Sequence, residues 1–388
     1  MWAAQMNNPA LTAFKPGGTF SPAEIPSLIQ LALTGIRPML NRQEGIFCFR
    51  LRRTPTGLAQ EGLSLRYTMM TLIGLQQCRI HGLDVPVDVD EILDRLLSDL
   101  KWIDNPGDLG LLFWTCAAIS PHRLSQLLGR VDPERALEKS SVASRRSTME
   151  LAWYLTGMAH ASVASPELKR LLKNGAFRVF EWLKANQGNH GFFGHSARQG
   201  SVSSILRGHI GSFADQVYPI CAFAKFGSAY DHDAAIEAAA GCAQTICNAQ
   251  GSLGQWWWHY DAGRGEVFER YPVYSVHQHG MAPMALFAIQ EVAPVDFSEN
   301  IYRGLNWITG ANELGLDMRD DSAGLAWRNI YSRSDGPRYL SWTRSFLGRH
   351  HGSRTPGNLD VTWECRPYEL GWLLYAFAGR GTTGGPEV

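Results

Sequence analysis

The 388-residue chain has no net charge: 36 Lys+Arg against 36 Asp+Glu. It therefore exerts no global pull toward nucleic acid or an anionic membrane. It has no known nucleic-acid-binding module, and no nucleic-acid partner is expected. No apolar run approaches the roughly 18 residues needed to span a bilayer. The opening "MWAAQMNNPALTAFKPGG" shows no basic segment leading into an apolar core, so a cytoplasmic location is expected. Its seven cysteines, Cys48, Cys78, Cys116, Cys221, Cys242, Cys247 and Cys365, form no CxxC pair and no zinc-like cluster with histidine. They read as buried thiols in a reducing compartment. No cofactor or metal is expected. Convincing strand alternation is scarce as well.

Helical patterns of two kinds fill the chain. One is amphipathic: 88–103, 165–185 and 231–249 carry a single apolar stripe and belong to an outer layer. The other is apolar nearly all round and rich in small residues: 64–82, 109–120, 148–164, 212–227, 275–293 and 366–379. Such helices need cover on most sides and belong to an inner layer. The two kinds alternate in about six pairs, starting near 21–40, with no linker between them. An outer–inner pair cannot bury its own inner helix, so it needs neighbours on both sides. The expected fold is all-α, a single (α/α)6 toroid over 1–388, with a long rim loop at 311–365.

Two connections repeat. "ANQGNHGFFGH" (185–195) and "CNAQGSLGQWWWHYDAG" (247–263) both follow an outer helix with Gln, Gly and aromatics. Gln187 is expected to hold backbone at its helix end, Gly188 and Gly191 to permit positive φ, and Phe192 and Phe193 to pack between hairpins. "AFRVFEWLKANQGNHGFFG" resembles the Gln–Trp-type repeat of terpenoid cyclases and protein prenyltransferase β-subunits. It also resembles repeats of polysaccharide lyases. The second segment, with "ERYPVYSVHQHGMAPMALFAI" after it, is similar in layout to six-hairpin glycosidases and uronyl-processing toroids. The resemblance implies architecture more than chemistry.

In such a ring the active site is expected where the inner helices begin. Polar residues gather there: Arg66 and Tyr67, Glu150 and Trp153, Asp215 and Gln216, His277 to His279, Tyr368 and Glu369. Ionisable groups on buried helices are costly unless paired or functional. The loop 254–274 adds Trp256, Trp257, Trp258, His259, Tyr260, Asp261, Glu266, Glu269, Arg270 and Tyr271. At least one of its tryptophans is expected to face the cavity or rim. Aromatic platforms beside carboxylates and arginine suit a hydroxylated or anionic sugar.

Hydrolysis needs two carboxylates, for which Asp215 with Asp261 or Glu369 are the candidates. Elimination or epimerisation needs a base and a carboxylate clamp, for which His277, His279, Tyr271 and Arg66 are the candidates. Trp257, Trp258, His259, Tyr260, Glu269, Tyr67, Glu150, Trp153, Phe193, His195, Arg328 and Tyr368 are candidate substrate-binding residues. The two histidines of "HQH" face different sides of a helix and do not read as a metal pair. "GLDMRDDSAG" (315–324), with Asp317, Asp320 and Asp321, resembles the aspartate-rich motif of class II terpenoid cyclases with one residue too many. The arginine-rich 327–354 could clamp an anion.

Three functions remain open. The first is an enzyme acting on a carbohydrate, an anionic oligo- or polysaccharide, by hydrolysis, elimination or epimerisation. The second is a terpenoid cyclase or prenyltransferase-like enzyme. The third is a non-catalytic binding toroid.

Overall fold

The computed structural model describes residues 20–103, 105–138, 147–196, 207–333 and 358–380. Six inner helices stand side by side in a closed ring: α2 (Leu65–Ile80), α4 (Pro106–Ile119), α7 (Thr148–Ala164), α9 (Ala214–Tyr230), α11 (Ala282–Gln290) and α13 (Pro367–Phe377). A π-helical turn, His277–Met281, runs straight into α11. The outer layer comprises α1 (Ile25–Ile36), α3 (Val89–Ser98), the short α5 (Arg123–Leu128) and α6 (Pro133–Glu138), α8 (Pro166–Lys184), α10 (Asp233–Asn248) and α12 (Ser298–Ile308). Each outer helix, with α5 and α6 counted as one broken helix, precedes an inner one, giving six hairpins. The chain is an (α/α)6 toroid.

Composition explains the layers. Apart from its first and last turns, α7 buries almost every residue, while α8 buries Leu168, Leu172, Gly175, Ala176, Val179, Phe180 and Leu183 along one stripe. Inner helices touch at glycine. A Cβ added at Gly157 would lie 2.0 Å from the Gly110 carbonyl oxygen, and one at Gly74 would lie 2.0 Å from that of Gly371. The α4–α7 and α2–α13 backbones therefore meet directly. All seven cysteines are buried and unbridged. Among the described residues, no helix is long and apolar enough to cross a membrane.

The inner helices all begin at one rim, and local caps set their starts. Ser64 Oγ accepts from the Tyr67 N–H, and Asn105 Oδ1 accepts from the Asp108 N–H. Small sheets decorate this rim. β1 (Leu40–Asn41), β2 (Ile46–Thr54) and β3 (Gly57–Leu63) lead into α2. β4 (Ile210–Ser212), β5 (His259–Asp261) and β6 (Glu266–Glu269) form a second sheet, and β7 (Val273–Tyr274) joins a third. In the rim region, β8 (Arg319–Asp320) pairs with β9 (Leu325–Ala326), and β10 (Asn329–Ser332) lies between β7 and β11 (Leu359–Thr362). β12 (Glu364–Cys365) pairs with β2, Glu364 opposite Arg52 and Cys365 opposite Leu51, which ties the last hairpin to the first. The β2–β3 hairpin was not expected. Its arginines 50, 52 and 53 break the apolar alternation that would mark a strand.

The repeated connections are alike in detail. Gln187 Nε2 donates to the Gly191 and Ala238 carbonyls at 3.0 and 3.1 Å. Gln250 Nε2 donates to those of Gly254 and Asn300 at 3.0 and 2.9 Å. Each glutamine thus closes its own loop and reaches the next outer helix or its first turn. Gly191 and Gly254 have φ of +94° and +88°, whereas Gly188 does not need positive φ. Gly188 is instead a close approach, since a Cβ there would meet the Ala262 carbonyl oxygen at 2.0 Å.

Candidate active site

The repeat's end places a histidine beside an aspartate. Gln216 in the first turn of α9 accepts from the Phe193 N–H at 2.7 Å and donates to the Phe193 carbonyl at 2.8 Å. Thr148, opening α7, donates its N–H to the His195 carbonyl at 2.9 Å. The loop is thereby pinned to two adjacent inner helices, and His195 Nδ1 lies 3.3 Å from Asp215 Oδ2. The same oxygen accepts from the Ser212 N–H and Oγ–H, each at 2.9 Å. Asp215 is 1% exposed, and among the described residues its Oδ1 has no hydrogen-bond partner. The His195 ring is more than half exposed, so this pair opens to the mouth. Hydrogen bonding to Asp215 raises the His195 pKa above its usual value.

Next along the rim, Arg66 on α2 pairs with Asp108 on α4 at 2.7 Å, and its guanidinium lies 5.1 Å over the Trp153 ring on α7. Asn105 Nδ2 holds the other Asp108 oxygen at 2.8 Å. Glu150, one helical turn before Trp153, bears electrostatically on both Arg66 and His195. Three carboxylates from adjacent inner helices, Asp108, Glu150 and Asp215, thus share a neighbourhood with one arginine and one histidine. Sequence reasoning missed Asp108. Within "NPGDLG" it reads as a helix-start residue, and its place beside Asn105 and Pro106 was the only available signal.

Aromatics continue the wall. Tyr67 and Tyr368 rings are 4.5 Å apart and tilted, Phe49 stacks on Tyr67 at 5.4 Å, and Arg366 Nη1 donates to the Tyr67 hydroxyl at 2.9 Å. Trp258 is the half-buried tryptophan of its triplet, packed on His259, Tyr274 and His277. His259 Nδ1 pairs with Glu269 at 2.7 Å.

Several other candidates are engaged in contacts within the fold. Asp261 Oδ1 accepts from the Gly263 and Arg264 N–H groups at 2.8 and 3.0 Å, so it shapes the β5–β6 turn. Glu369 is wholly buried and pairs with Arg328, which also lies 4.8 Å over Tyr274. Burial raises the Glu369 pKa despite that partner. This pair fixes the wall and leaves neither group as a free acid. Tyr271 donates its hydroxyl to Glu313 at 2.9 Å, in a cluster with Gln255 and Trp307 on α12, which takes it out of the running as a base at the mouth. His277 and His279 are buried, and burial lowers each pKa to about 3. Both are neutral, weak bases. Neither ring nitrogen of His279 has a partner among the described residues.

Trp257 donates Nε1 to the Ala249 carbonyl behind α10, Tyr260 accepts from the Trp257 N–H in the core, and Phe193 is fully buried against Phe223. All three are buried in the fold. Asp320 pairs with Arg53 at 3.0 Å in the β8–β9 hairpin beside outer helix α1, and Asp321 is exposed. The aspartate motif is therefore not at the deep end of a cyclase cavity. Of the arginine-rich segment 327–354, residues 334–354 lie outside the described residues.

No family model and no curated protein sequence matches the chain. Solved structures do. It is similar to a glycosyl hydrolase family 88 protein from Bacteroides vulgatus at 11% identity, covering 93% of this chain and 99% of that one, with a TM-score of 0.59. An unsaturated glucuronyl hydrolase from Streptococcus agalactiae, an aspartate-to-asparagine variant complexed with dGlcA-GalNAc6S, matches at 12% identity, 96% and 99% coverage and TM-score 0.58. A sugar epimerase from a ruminal bacterium matches at 12% identity, 92% and 99% coverage and TM-score 0.59.

Proposed function

We propose that the protein is an enzyme that hydrolyses an anionic oligosaccharide at the rim where its inner helices begin. One observation carries this reading. Asp215 is a buried carboxylate with one oxygen held by three donors and the other, among the described residues, without a partner, beside an exposed histidine. A glycosidic oxygen must be protonated as its bond breaks, and a carboxyl group fixed through one oxygen can present its other oxygen for that transfer. His195 tunes this group and shuttles protons to solvent. Glu150 is the second carboxylate, orienting the water or stabilising positive charge at the anomeric carbon. Arg66, steadied by Asp108 and Trp153, holds the substrate's acidic group. Tyr67, Tyr368 and Trp258 offer faces for sugar rings.

Hydrolysis is preferred to elimination because His195, the exposed histidine at the rim, is committed to Asp215, and the bases weighed for elimination are engaged or weak. Tyr271 is engaged elsewhere, and His277 and His279 are weak bases. Cyclisation of a terpenoid is disfavoured by the charge at the rim and the peripheral place of Asp320. The toroidal likeness to uronyl hydrolases supports the reading at the level of fold.

The test is an assay on oligosaccharides ending in a uronate, against neutral counterparts. The wild type should release a sugar from the former, and Asp215→Asn should lower kcat/KM by about a hundredfold or more with an unchanged Tm. Full activity in Asp215→Asn would remove the assignment.

A further inference from the structure

The inward stripes of the inner helices do not end at the active-site rim. On α7 the stripe runs Trp153, Thr156, His160, and on α9 it runs Tyr218, Cys221, Lys225, both at helical spacing. Midway, four aromatics close the ring. Tyr218 packs edge-on against Trp153 at 5.2 Å and accepts from Trp372 Nε1 at 3.0 Å, and Trp372 stacks on Trp114 at 5.4 Å. Behind this layer lies a separate cavity of about 270 Å³, lined by the far halves of α4, α7, α9, α11 and α13. Lys225 is ten residues beyond Asp215, about 15 Å along the same helix.

The cavity is just under the size of usual small-molecule sites, about 300 Å³ and upward. Its walls include Trp114 and Tyr375, with His160 stacked on Trp114 at 5.1 Å and 15°. Its two charged residues, Lys225 and Glu291, feel each other's charge but form no direct ion pair among the described residues. Glu291 at its edge is largely exposed and pairs outward with Arg380 at 3.3 Å. Lys225 is half-buried and, among the described residues, forms no hydrogen bond or ion pair. Burial lowers the Lys225 pKa, more than the charge of Glu291 across the cavity raises it, and burial with Lys225 nearby holds His160 neutral. A half-buried ammonium with no direct ion pair among the described residues, facing a ring-sized space, gains from an anion seated against it.

We propose that this cavity is a second ligand site, taking a small ring compound with one carboxylate. The acid group lies on Lys225 and His160, and the ring against Trp114 and Tyr375. This does not depend on the carbohydrate reading. The ring can be that of an aromatic acid or a sugar acid, and the two are separable. Ligand-observed NMR titrations of the full chain with benzoate, and separately with D-glucuronate, should find saturable binding of at least one, and the binder names the source. Lys225→Met should weaken that binding about tenfold or more, Lys225→Arg should retain it, and Asp215→Asn should leave it unchanged. Ser228→Trp, at an exposed lining position, should block it without touching the core. The proposal is overturned if neither acid binds saturably. It is equally overturned if binding survives both Lys225→Met and Ser228→Trp, or if binding is lost in Arg66→Met instead, which would assign it to the rim.

Discussion

At the scale of single residues, partners separate function from support. Asp215, Asp261 and Glu369 are all buried carboxylates, yet among the described residues Asp215 keeps a buried oxygen with no hydrogen-bond partner, while Asp261 shapes a turn and Glu369 pairs with Arg328. The buried histidines make a different statement. His279 has a pKa of about 3 in the fold against 6.5 ordinarily. As pH falls below 6.5 the unfolded chain takes up a proton that the folded chain refuses until near 3, so stability falls on acidification across that window. Between pH 7 and pH 5 the loss is about 2 kcal/mol for this one group. Urea unfolding at both pH values should show the wild type losing about that much more than His279→Met. Equal losses would mean that His279 is not enclosed. The same burial explains why His279 reads as a catalytic candidate in sequence and not in structure, since the pattern "HQHGM" marks an inner helix but not which way its rings turn.

At the scale of elements, the inner helices were legible because their small residues have a physical task. Gly110, Gly157, Gly74 and Gly371 let backbones touch, and a helix rich in such residues without a polar face can only be interior. Gly157→Ala would force its methyl against the Gly110 carbonyl and should destabilise the protein by about 1–3 kcal/mol, seen as a lower Tm. An unchanged Tm would contradict direct backbone contact. The Gln–Gly connections were legible as a repeat, though not the reach of Gln187 and Gln250 to the following outer hairpin, which depends on neighbours some fifty residues away. Three elements were hidden. The arginines of β2 find Glu61, Glu364 and Asp320 only after folding. Asp108 looks like part of a helix cap. The triple tryptophan divides between core, outer helix and rim, and no local pattern announces which ring goes where.

At the scale of the whole molecule, alternation of outer and inner helices was enough to predict a closed ring. Closure itself rests on pairs distant in sequence, β2 with β12 and α2 with α13. A ring aligns the six inner-helix starts on one rim, so residues from 66 to 369 become neighbours there. It also creates an opposite end, which the aromatic layer of Trp153, Tyr218, Trp372 and Trp114 separates from the first. The central claim is that the rim around Asp215 is a carbohydrate site. The most direct measurement is a crystal structure of Asp215→Asn soaked with a uronate-ended oligosaccharide. The account predicts a sugar ring against Tyr67, Tyr368 or Trp258, its glycosidic oxygen within hydrogen-bonding reach of residue 215 and its acid group on Arg66. An empty rim, or a sugar bound only elsewhere, would contradict it.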